Sequence, residues 1–163
     1  QDVTHFRFEG RGHLHCAIEV PGLALPVHCV SVHLSLFAGS RRKQLAALVE
    51  RIEAVVPANA PLIIAGDFND WKNHADALLA QRLNLQEAFA SNRGERPARS
   101  FPARLPLLRL DRIYLRGFSV LERQVHHGGI WTGISDHAPL SATVKAIQHP
   151  GDGVLPAPTK GKR

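Results

Sequence analysis

Polar side chains of reactive type stand where apolar runs stop. His33 follows "CVSV"; Asp67, Asn69 and Asp70 follow "LIIAG"; Asp111 sits inside "RLDRIYL"; Asp136 and His137 precede "APLSATV". Carboxylate and amide oxygens bind a hard cation such as Mg²⁺. A carboxylate also takes a proton from water. Histidines bridge or protonate phosphate oxygens near neutral pH, and a carboxylate such as Asp111 fixes a histidine's tautomer and raises its pKa. Together these are the means to attack a phosphate ester. Each group also has a plainer reading. An Asp at a strand end is commonly a turn or cap residue, Asp70 being placed to cap the helix that follows, and a His in an apolar strand is commonly a satisfied core residue. The plainer reading weakens when one chain carries all four groups in this order.

Positioning them falls to short apolar elements. Residues 13–20 and 26–34 read as strands of a hairpin closing at Pro21-Gly22-Leu23-Ala24. Ser40 offers an N-cap for a helix to about Val56, with Leu45, Leu48, Val49, Ile52 and Val56 at helical spacing. "LIIAG" is a continuous apolar run, expected to be a strand buried on both faces. Helical patterns follow at 74–83 and, shorter, at 86–90. The loop leading into "LDRI" carries Arg93, Arg96, Arg99, Arg104 and Arg109, which either hold a polyanion or stand in solvent. Strands are expected at 110–115, 119–125 and 139–147. From His149 the chain is rich in Pro and Gly and basic, a flexible tail (148–163) after one domain (1–147).

The composition narrows the class. With 163 residues, 44% of them hydrophobic, the chain has enough apolar content for one globular core. No apolar run reaches membrane-spanning length. A formal charge of +6 favours an anionic partner such as nucleic acid, phospholipid or phosphate ester, or reflects solvated arginines and a basic tail. Two cysteines, Cys16 and Cys29, make neither a disulfide framework nor a four-ligand zinc site; a reduced, buried pair facing across the hairpin is expected. They leave the compartment open, with a cytoplasmic setting the expectation. Aromatic content of 6% argues against a dedicated single-strand binder. Methionine is absent and residue 1 is Gln, so the chain reads as a piece of something longer.

"VSVHL", "IIAGDFN", "LDRIYLRG" and "ISDHAPL", in this order, resemble the second half of the endonuclease/exonuclease/phosphatase superfamily, which includes the DNase I-like nucleases. The resemblance covers about residues 12–144, and "RPARSFPARLPLLRLDRIYLRG" looks similar to small bacterial metal-dependent hydrolases of that family. It implies an α+β, DNase I-like sandwich of two β-sheets flanked by helices. By motif it makes Asp67 the group that activates or orients water, Asn69 a phosphate contact, and His137 a phosphate contact steered by Asp111. Asp136 would sit at a metal, Mg²⁺ or Mn²⁺, with Asp67. His33 would act near the leaving group, and Arg99 and Arg104 would bind substrate phosphate. The family's early strand with an Asn and its later metal-ligating Glu have no counterpart here. Glu9 and Glu19 do not match that motif. The sandwich is therefore expected to lack N-terminal strands and to bind Mg²⁺ weakly, and its strand edges to pair with another copy or with a missing segment. A non-catalytic, anion-binding fragment is the alternative.

Overall fold

The computed structural model describes residues 12–90 and 97–147. Glu9, Arg93, Arg96 and the basic tail lie outside the described residues. Strands β1 (Gly12–Ile18) and β2 (Val27–His33) form the expected antiparallel hairpin. Helix α1 (Ala38–Val55) leads to β3 (Leu62–Asp67), then α2 (His74–Leu83) and a two-residue β4 (Gln86–Glu87). After a long loop come β5 (Asp111–Arg116), β6 (Phe118–Val125), a single helical turn α3 (Trp131–Ile134) and β7 (Leu140–Ala146). The strands form a five-stranded sheet in the order β1-β2-β3-β5-β4 and a two-stranded sheet of β6 and β7. Only β2 and β3 are parallel; the other pairs run antiparallel. This is the α+β, DNase I-like arrangement of two sheets with helices outside.

Two cores explain why β3 opens on an apolar run. Leu62 and Ile64 point toward α1 and α2 and are fully buried with Leu48, Val49, Ile52 and Leu79. Burying each such side chain contributes about 1.5–3 kcal/mol. Ile63 points the other way, joining Ile113 and Leu115 of β5 against Val125, Leu140 and Val144 of the second sheet. The second face of β3 is only half-buried, short of the double burial expected from its run of apolar residues. Strand β7 alternates half-buried and exposed positions, as its sequence suggests.

Local expectations failed where tertiary partners intervened. Residues 86–90 are too short to hold a helix in isolation; Gln86 and Glu87 pair instead with Leu115 and Tyr114 as an edge strand. Helix α1 starts before Ser40, after Phe37, which makes no side-chain cap. Ser35 organises this start: its Oγ accepts from the Phe37 N–H at 3.2 Å, while its own N–H donates to Gln44 Oε1 at 2.8 Å. Cys16 and Cys29 do lie opposite each other and are unbonded, but Cys16 is exposed and Cys29 half-buried, because no layer covers that face of the hairpin among the described residues. Helix α3 carries no capping signal and was not foreseen.

Candidate active site

The sheet register lines up the reactive residues. Parallel pairing sets His33, the last residue of β2, beside Asp67, the last of β3. Antiparallel pairing sets Asp67 beside Asp111, the first residue of β5. Three residues far apart in the chain thus stand in one row at one end of the sheet. His33 Nε2 lies 3.5 Å from Asp67 Oδ2. His137, three residues before β7, reaches the same row: its Nδ1 is 2.6 Å from Asp111 Oδ2. With Nδ1–H donating to the carboxylate, the second ring nitrogen, Nε2, takes no part in that bond. Phe101 packs on the His137 ring at 5.1 Å, and Ser100 ties both partners down: its Oγ accepts from the Asp111 N–H and its carbonyl from the Ala138 N–H.

The turn after β3 depends on two unusual backbones. Gly66 adopts φ +139, and a Cβ there would stand 2.0 Å from the Val32 carbonyl oxygen, so only glycine fits. Asn69 takes a left-handed conformation with φ 49, which Asn tolerates better than most residues. Buried to 2% exposure, Asn69 clamps Asp67. Its backbone N–H donates to Oδ1 at 2.8 Å and its side-chain NH₂ to Oδ2 at 2.9 Å, the same NH₂ donating to the Leu34 carbonyl. Both amide donors therefore hold the protein, and Asn69 acts here as a positioning group for Asp67.

Asp70 fills the capping role open to it: Oδ2 accepts from the Ala75 N–H at 2.7 Å. Beneath it lies a residue that motif reasoning missed. Arg112, 1% exposed, points from β5 toward the helices and donates to the Asp70 carbonyl, Asn73 Oδ1 and Asp76 Oδ1. The signal was present in "LDRIYL", where an arginine occupies a core-facing place in the alternation. Arg109 is held by Asn73 and Glu87 and so belongs to this support, not to an anion-binding loop. Arg99 and Arg104 are exposed on the loop before β5. Asp136 is exposed beside His137, its carbonyl accepting from the Ala103 N–H at 2.7 Å.

The electrostatics suit proton handling. Burial raises the Asp67 pKa, and the Asp111 charge raises it further; the Asn69 hydrogen bond and the two histidines pull against this without cancelling it. For His137, burial alone would lower the pKa. The Asp111 hydrogen bond and charge, aided by Asp67 and Asp136, outweigh it and hold the ring above the ordinary imidazole value. The row thus sets a carboxylate beside an imidazole whose protonated form is favoured.

Fit to a divalent cation is incomplete. Mg²⁺ demands near-octahedral oxygen coordination. Among the described residues no group of three or more His, Cys, Asp or Glu side chains is arranged to hold a metal ion. Asp111 is committed to His137, and both Asp67 oxygens accept from Asn69. That leaves Asp136 and the remaining lone pairs of Asp67, which do not form a cage.

Known proteins resemble this chain in sequence and in fold. The profile of the Endonuclease/Exonuclease/phosphatase family matches residues 2–137. The Escherichia coli K12 protein YbhP, described as uncharacterized, is 42% identical over 144 residues, covering 88% of this chain and 56% of YbhP. The chain thus spans about half the length of the curated relatives it matches. Among solved structures, TDP2 of D. rerio complexed with single strand DNA product superposes with a TM-score of 0.68 at 19% identity, over 89% of this chain and 65% of that one. A mannosyl-6-phosphatase of Bacteroides thetaiotaomicron superposes with a TM-score of 0.56 at 19% identity, over 74% and 51%. These two likenesses speak to fold; the matched profile, running from before β1 to His137 itself, speaks to descent, and by it the chain belongs to the Endonuclease/Exonuclease/phosphatase family.

Proposed function

We propose that this site hydrolyses a phosphate ester by direct attack of water. The observation that carries the reading is the row His33–Asp67–Asp111 with His137 held on Asp111 at 2.6 Å. Asp67, immobilised by Asn69, orients a water molecule and accepts its proton. His137, cationic and steered by Asp111, donates from Nε2 to a phosphate oxygen as charge builds there. His33 stands beside Asp67, placed to act near the leaving group. Rigid placement matters because in-line displacement tolerates little misalignment. Arg99 and Arg104 offer charge to a phosphate without reading sequence. A hard cation, Mg²⁺ or Mn²⁺, would neutralise developing charge with Asp136 and Asp67 among its donors. The described residues form no cage for it.

Phosphate esters are the substrate class that the family and its relatives support: one structural relative is solved with a single strand DNA product and another is a mannosyl-6-phosphatase. The absence of a metal cage among the described residues favours a second reading, an anion-binding, non-catalytic piece. A panel of phosphodiesters and phosphomonoesters, assayed with Mg²⁺ and with Mn²⁺, separates the two. Turnover of at least one ester is expected, with Asp67→Asn and His137→Ala each lowering it by about 10²-fold or more. An Asp67→Asn protein that keeps most of the rate sinks the assignment of the base. A flat panel supports the second reading.

A further inference from the structure

The end of the molecule that carries the reactive row also carries about half of the large apolar side chains exposed among the described residues. Four loops leave the sheets there. One follows His33, one follows Asp67, one runs into Asp111, and one joins β6 to β7 and contains His137. Each exposes large apolar residues: Leu36 and Phe37 on the first, Trp71 on the second, Leu105 and Leu107 on the third, Ile130 and Ile134 on the fourth. Their exposures run from 44% to 72%. Scattered single residues of this kind are ordinary; several gathered on the loops at one end of the sheets are not. The loops are linked to one another. Arg41 lies over the Trp71 ring at 5.2 Å and donates to the Leu36 carbonyl, while Ala103 donates to the Asp136 carbonyl.

Exposed cations share these loops and the start of α1. Lys72 follows Trp71, Arg99 and Arg104 share the loop of Leu105, and Arg42 and Lys43 occupy the start of α1 beside Phe37. The chain as a whole carries +6. Apolar side chains that enter an acyl boundary, with Lys and Arg at headgroup level and tryptophan at the interface, describe a protein face that lies on an anionic membrane surface. A nucleic acid would ask for something else: bases stack on aromatic rings, and such interfaces are polar. Here the exposed apolar residues are mostly aliphatic, and Leu36, Leu105, Leu107, Ile130 and Ile134 have no flat face to offer a base.

We propose that the loops around His33, Asp67, Asp111 and His137 dock on an anionic phospholipid surface. Resting on the hydrolase reading above, this makes the substrate a headgroup phosphate ester presented at that surface. The docking itself does not depend on turnover, so the two ideas fail separately.

Both tryptophans of the chain, Trp71 and Trp131, lie on these loops and report docking directly. The 163-residue chain is mixed with vesicles of phosphatidylcholine containing about one-third phosphatidylglycerol, with pure phosphatidylcholine vesicles, and with a single-stranded oligonucleotide. The expected result is a blue shift of tryptophan emission and co-sedimentation with the anionic vesicles, on the order of ten-fold weaker with the neutral ones. Ile130→Ser with Ile134→Ser lowers vesicle affinity by about ten-fold at an unchanged unfolding midpoint. If that variant folds poorly, Arg42→Glu with Lys43→Glu on the exposed face of α1 serves the same purpose and lowers binding as strongly. Asp67→Asn binds vesicles like the parent, whether or not the parent turns over any ester. No shift with any vesicle overturns the proposal, as does a shift with the oligonucleotide alone, which assigns the face to nucleic acid.

Discussion

In the proposed reaction Asp111 acts through His137, and its charge reaches Asp67 as well. Both shifts point the same way: the Asp67 pKa lies above its ordinary 3.8 and that of His137 above its ordinary 6.5. Turnover that needs ionised Asp67 and protonated His137 rises through the first value and falls through the second, so the active window sits to the alkaline side of the ordinary values. Asp111→Asn removes the hydrogen-bonded charge that outweighs burial at His137, and removes one of the contributions that raise Asp67. Both limbs of the kcat/KM profile are expected to move to lower pH. The alkaline limb should move further, since Asp111 touches His137 and only neighbours Asp67. A variant whose alkaline limb stays in place would show that His137 is not the acid. Around this row, the residue types were legible: His33, Asp67, Asn69, Asp111 and His137 all stand at one end of the sheet. The role of Asn69 was not, because only the folded turn brings its NH₂ onto Asp67 and the Leu34 carbonyl.

At the scale of elements, β3 and the turn after it carry the site's precision. Gly66 is the sharpest test. Adding one methyl places a carbon 2.0 Å from the Val32 carbonyl oxygen in the adjacent strand, at a φ that L-residues rarely adopt. Gly66→Ala is expected to destabilise the fold by about 3 kcal/mol or more, since either β2 must separate from β3 or the turn must change its path. Urea unfolding measures it; a loss under about 1 kcal/mol would mean the strands yield easily and do not hold the row rigidly. The same turn is braced from below by Arg112, whose guanidinium gathers the Asp70 carbonyl, Asn73 and Asp76. Its placement follows from strand alternation: Asp111 faces the site, so Arg112 faces the helices.

Across the whole molecule, the five-stranded sheet ends at β1. Strand β2 is paired on both sides, by β1 and β3. Strand β1 has one strand neighbour among the described residues, and Leu14 and Ile18 on it are exposed. An open edge with apolar neighbours invites pairing with a second chain. Self-association is therefore expected to rise with concentration in sedimentation velocity, and Leu14→Lys with Ile18→Lys to suppress it. A monomer at every concentration would show that the β1 edge is closed in solution.

What the sequence by itself determined is the order of strands, the long helix, the helix at His74–Leu83, and the set of reactive residues at strand ends. These are read from periodicity and from motifs that occupy few consecutive residues. What only the tertiary structure decided is which strand lies beside which. The register that lines up His33, Asp67 and Asp111, the reassignment of Gln86 and Glu87 from helix to edge strand, the burial of Arg112 and the gathering of four apolar loops at one rim all depend on contacts between residues far apart in the chain. Such contacts leave little local trace, because a segment's period shows which of its faces is apolar, while the partner that meets that face is chosen by packing of the whole chain.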